Sequence, residues 1–173
     1  MLNKIINYLA RISDGGEQVA LSAIFQNTTS RHSTQAVSSA GLVIKAGAST
    51  LAKTGAAATV LTVNGRIVRI AAATDQPALT GLTVPNAAFN VAVFFVDGAG
   101  VGSVAFGVAA ASIGGVTFPD FPLAKTLVGF LIINPTGTGS FVGGTTALDD
   151  ATVVPNVVYV SPTGAFDPTL VFA

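Results

Sequence analysis

A chain of 173 residues without cysteine can bury one core, and it has no disulfide, thiolate metal site or cysteine nucleophile. Half of it is apolar and only 9% charged, against roughly 25% in an average soluble protein; no apolar run nears the ~20 residues of a membrane-crossing helix. Eight basic and eight acidic side chains cancel, with five cations against two acids in residues 1–53 and three against six beyond, too sparse a basic surface for a nucleic-acid partner.

Leu2, Ile5, Ile6, Leu9 and Ile12 recur at helical spacing, with Lys4, Asn7, Tyr8 and Arg11 opposite. That pattern predicts an amphipathic N-terminal helix, which Asp14-Gly15-Gly16 ends. The same polar residues interrupt any signal-peptide core, so no leader is expected. An isolated helix of about a dozen residues is marginal in water, so its apolar stripe needs a surface to dock on. Residues 17–26 carry Val19, Leu21, Ala23 and Phe25 in alternation, a strand or a resumed helix. Residues 27–41 are nearly free of large apolar side chains and read as a linker or extended arm. Such an arm spans ~50 Å when fully extended, far enough to seat the helix on a neighbouring molecule. Leu2, Ile5, Ile6, Leu9, Ile12, Arg11 and Arg31 are the expected partner-binding residues.

The body is expected over residues 42–173, opening at Leu42-Val43-Ile44. Residues 59–63 and 66–70 alternate about Asn64-Gly65, the preferred pair for a type I′ hairpin. Residues 89–96 form an aromatic and β-branched run, apolar on both faces, which predicts a central strand covered on both sides. Asp97-Gly98-Ala99-Gly100 supplies a tight reversal, and residues 101–108 return with Val104, Phe106 and Val108 on one face. Gly114, Gly115, Pro119 and Pro122 make 113–123 irregular or an edge. Residues 127–133 and 157–160 are further strands, with a glycine-rich turn around Phe141-Val142 between them. Seven to nine short strands with Gly and Pro turns predict an all-β body, a β-sandwich or small barrel of antiparallel strands. The strands lack the regular ten-residue alternation of an outer-membrane barrel, and no membrane partner is expected.

The residue types for catalysis are thin. Gly98-Ala99-Gly100-Val101-Gly102-Ser103 suggests a dinucleotide loop, but its third glycine falls one position early and a strand follows where a helix is required. Gly47 to Thr54 comes within one residue of a phosphate-binding loop, with Ala52 where the second glycine belongs. His32, the single histidine, lies in the polar arm, a poor place to hold a triad. Asp149-Asp150 lacks the surrounding oxygen ligands of a Ca²⁺ loop and fits turn chemistry better. No catalytic residue, metal or cofactor is expected, and the chain is read as a non-enzyme.

Ala71-Ala72-Ala73-Thr74-Asp75, Leu79-Thr80-Gly81, the strand and turn of residues 89–100, Pro122-Leu123-Ala124-Lys125 before Val128-Gly129-Phe130, and Phe141-Val142-Gly143-Gly144-Thr145-Thr146-Ala147-Leu148 follow one another in order. This series, over residues 60–160, resembles a β-rich module of tailed-bacteriophage virion proteins. The resemblance implies a virion structural protein, of the decoration or cement type, on the capsid surface. It further implies a symmetric cluster on the lattice of major capsid protein, and a body with too few charges to cover itself leads us to expect that cluster to be a homotrimer. The other class it leaves open is a head- or tail-fibre module that recognises a host receptor or glycan, although neither repeats nor a trimeric coiled coil accompany it.

Overall fold

The computed structural model describes residues 33–172, so the expected helix over 2–12, the stretch 17–26 and the arm up to His32 lie outside the described residues. The described chain is built of short strands: β1 (Gln35–Ala36), β2 (Val43–Ile44), β3 (Ala52–Lys53), β4 (Thr59–Val63), β5 (Arg66–Ile70), β6 (Thr83–Val84), β7 (Asn90–Asp97), β8 (Gly102–Phe106), β9 (Lys125–Ile133), β10 (Phe141–Val142) and β11 (Val158–Val160). Single 3₁₀ turns at Ile113–Gly115 and Pro168–Leu170 are its only helical residues. All pairings are antiparallel. They form a four-stranded sheet ordered β11-β9-β7-β8, a three-stranded sheet ordered β1-β4-β5, and the pairs β2-β3 and β6-β10. The all-β expectation holds. No sheet closes on itself, so the barrel alternative is not formed.

The two hairpins follow from their turn residues. Asn64 and Gly65 both take positive φ (50° and 77°), as a type I′ turn requires, and β4 and β5 pair in full register from Val63↔Arg66 to Thr59↔Ile70. Between β7 and β8, the Asp97 carboxylate accepts the Ala99 and Val101 amides at 2.9 Å each, and Gly100 takes φ 85°. Strand β7 is buried on both faces, as its composition predicts. Ala92, Phe94 and Val96 face the main core, while Val91, Val93 and Phe95 face a second one. Val104 and Phe106 also pack on the main core, but Val108 lies beyond β8 and is exposed.

A β-bulge carries this two-faced packing into β9. Phe94 pairs with Gly129 and Phe95 with Leu127, leaving Val128 as the extra residue. The insertion reverses which positions of β9 face which core. Leu127 and Phe130 both reach the second core, whereas Val128, Leu131 and Ile133 reach the main one. A strict period of two cannot produce that distribution. Gly129, opposite Phe94, leaves its place to Leu42, whose Cδ1 lies 2.6 Å from where a Cβ would stand.

The main core lies between the four- and three-stranded sheets. Leu61, Val63, Val68 and Ala36 come from one side, Phe94, Val96, Leu131 and Ile133 from the other, and Leu79, Val84, Phe141 and Val154 from the loops and small pairs. Thr126, buried in β9, donates its hydroxyl to the Thr62 carbonyl and ties the two sheets directly. The stretch read as an arm to residue 41 already belongs to this body from Gln35. Gln35 and Ala36 pair with Thr62 and Leu61 in β4, and Ala36 and Ala40 are buried. Alanines in a Ser/Thr-rich segment carry too little hydropathy to announce that burial.

Candidate functional site

The second core is where the body departs from a plain two-sheet packing. The face of the four-stranded sheet turned away from the main core is roofed by two irregular segments, residues 107–123 and 161–172. Bridges Phe89↔Ala110 and Val108↔Thr117 hold the first segment, and Gly107 lets it pass because a Cβ there would fall on the Thr117 carbonyl. The second is pinned to the start of the described chain. The Gly164 amide donates to the Ala36 carbonyl at 2.7 Å, and the Leu42 amide donates to Ser161 Oγ at 2.9 Å.

Phenylalanines supply the roof. Phe118 meets Phe130 edge-on at 5.1 Å and stacks on Phe172 at 5.5 Å; Phe121 meets Phe95 edge-on at 5.1 Å and stacks on Phe166 at 5.9 Å. Ring pairs at such distances add about 0.5–1.5 kcal/mol each beyond their burial. Phe95 and Phe130 are fully buried from the sheet, but Phe118, Phe121, Phe166 and Phe172 keep part of their surface open. Beside them lies a cleft of about 400 Å³, lined by Phe121, Leu123, Leu127 and Phe166 together with Thr34 and Gln35. A shallower one of about 390 Å³ runs past Phe118, Asp120 and Phe172. The glycines and prolines of residues 113–123 mark that stretch as irregular, but nothing in them gives these rings a role. Their spacing follows no strand or helix period, so only the fold brings them together.

The point where residues 1–32 join the body is firmly held. The Gly65 amide donates to the Ser33 carbonyl at 2.9 Å, and the Asn64 amide donates to Thr34 Oγ1 at 2.9 Å. Thr34 Oγ1 in turn donates to Asn64 Oδ1 at 3.2 Å. The hairpin turn read from Asn64-Gly65 is thus also the anchor of the N-terminal segment.

Leu2, Ile5, Ile6, Leu9, Arg11, Ile12, Arg31 and His32 all lie outside the described residues. Neither stretch that imitates a nucleotide motif is followed by a helix: Gly98 and Ala99 belong to the β7–β8 reversal, and the second stretch turns at Gly47-Ala48 and runs into strand β3 at Ala52-Lys53. Asp149 and Asp150 do turn work, as expected. Asp149 accepts the Ala48 amide through both oxygens (3.1 and 3.0 Å), and Asp150 Oδ1 accepts the Thr152 amide at 2.9 Å. The turn amide of Val101, foremost, holds the Asp97 carboxyl below its usual range, with Lys125 assisting. Burial, and then the charge of Asp149, push the Tyr159 phenol up to about 12. Among the described residues no three His, Asp or Glu side chains gather as metal ligands, and no helix is long and apolar enough to cross a membrane. The geometry offers apolar contact surface and a fixed tether point. Comparison with family models, curated proteins and solved structures finds no match to this chain.

Proposed function

We propose that this protein is a structural component of a tailed-phage virion, a decoration or cement protein that sits on the major capsid lattice as a homotrimer and is attached through its N-terminal segment. The observation that carries the reading is the anchored root. Ser33 and Thr34 are bonded to the Asn64-Gly65 turn, and β1 is laid into the three-stranded sheet. Tension on residues 1–32 is therefore delivered to a sheet and not to a loose loop. The charge-poor, sandwich-like layering of the body and the order of the motifs over residues 60–160 support the same class.

Attachment of this kind works through avidity. Leu2, Ile5, Ile6, Leu9 and Ile12 contribute ~1.5–3 kcal/mol each if fully buried on a partner, and ordering costs about 1–2 kcal/mol for each backbone residue fixed. One segment therefore binds weakly, and three on one trimer gain from effective concentration. The test uses full-length protein carrying Ile5→Asp and Leu9→Asp, together with a chain beginning at Ser33, each mixed with particles stripped of the protein. Both should keep the β signature in circular dichroism and bind at least about tenfold more weakly, the equivalent of ~1.4 kcal/mol. A chain beginning at Ser33 that still saturates the particle places the contact on the body. Copy number per particle separates shell from fibre: hundreds for a capsid protein, a handful for a fibre.

A further inference from the structure

The cleft between Leu123 and the stacked Phe121–Phe166 pair is a mainly apolar opening of about 400 Å³ beside the start of the described chain. Leu123 is 46% exposed at its rim. Thr34 and Gln35 form part of its lining, so the described chain begins beside the cleft. The sequence preceding Ser33 carries the alternating face Val19, Leu21, Ala23 and Phe25, bounded by Gln18 and Gln26. We propose that residues 19–25 of the same chain seat this face in the cleft, with Phe25 joining the phenylalanine cluster.

Three quantities favour this occupant over a foreign one. Residues 25–34 extend to at most ~30 Å, ample to turn back into the cleft. The volume of about 400 Å³ suits one aromatic and one aliphatic side chain, within the ~300–1,000 Å³ of common binding clefts. A segment tethered by so short a linker is present at an effective concentration in the millimolar range, which a separate partner of similar sequence does not reach. Seating residues 19–25 leaves residues 2–12 outside the cleft. The inference does not depend on what those residues bind, and stands or falls apart from the attachment reading.

The chain contains no tryptophan, so Phe25→Trp in the full-length protein places one indole in the segment. The expected result is blue-shifted emission, shielded several-fold from iodide quenching and independent of protein concentration. Adding Leu123→Asp, or separately Ala165→Glu at an exposed lining position, should restore quenching without changing the circular dichroism spectrum. Two cleft variants guard against one that unfolds. An indole open to iodide in the parent overturns the proposal. So does shielding that grows with protein concentration, which assigns the cleft to a second copy, or shielding that survives both cleft variants.

Discussion

Tyr159 shows how a single side chain on this body acquires a measurable signature. It sits in β11 opposite Leu131 and packs against the main core, within reach of the Asp149 charge that caps the Ala48 turn. Burial and that charge both disfavour the phenolate, raising its pKa from 10.0 to about 12. A raised folded-state value means the native chain holds a proton that the unfolded chain has already released. Its contribution is whole below pH 10 and is lost as pH climbs towards 12. Urea midpoints measured across that window should therefore fall with pH in the parent and fall less steeply in Tyr159→Phe. Identical slopes would place Tyr159 in water. Asp97 has the opposite sense. Its lowered pKa stabilises the β7–β8 turn above the ordinary carboxylate range, an effect lost as pH falls through the folded value.

At the scale of elements, legibility in the sequence tracks how local the cause is. The hairpin at Asn64-Gly65 and the two-sided burial of β7 could be read directly, because turn chemistry and composition decide them within a few residues. The docking of Gln35–Ala36 was not legible, since buried alanines look like linker, and neither was the phenylalanine roof, whose members lie up to 77 positions apart between Phe95 and Phe172. The bulge at Val128 belongs with these: hydropathy shows a uniformly apolar β9, and only pairing with β7 reveals the switch of faces. Gly129 makes that element testable. A Cβ there would lie 2.5 Å from the Val160 carbonyl oxygen and 2.6 Å from Leu42 Cδ1, backbone on one side and packed core on the other. Gly129→Ala should therefore destabilise the body by about 1–3 kcal/mol, the usual range for overpacking a filled site, seen as a lower urea midpoint at unchanged m-value. A neutral result would mean that β11 and Leu42 yield freely.

For the whole molecule, charge is the scarce quantity. The described body carries five cations, Lys45, Lys53, Arg66, Arg69 and Lys125, and six aspartates over 140 residues, and Lys45 is already paired with Asp75. Over the full chain the formal charge is zero, so long-range repulsion between copies is nearly absent, a condition that promotes association. Ile67, Val101, Val108 and Val158 are each 49–71% exposed. Scattered exposed valines are ordinary on a monomer, so they acquire weight only alongside the missing charge. Together they lead us to expect an oligomer, in keeping with the trimer proposed for the assembled state. Light scattering at micromolar concentration should return a multiple of the 17.2 kDa chain mass, three for the proposed assembly. Ile67→Lys or Val108→Lys would lower it if that side chain lies in the contact, because a buried, unpaired ammonium is costly. The variant that dissociates the oligomer then identifies which sheet faces its neighbour. A clean monomer at every concentration would count against the oligomer, unless copies assemble only on the capsid lattice.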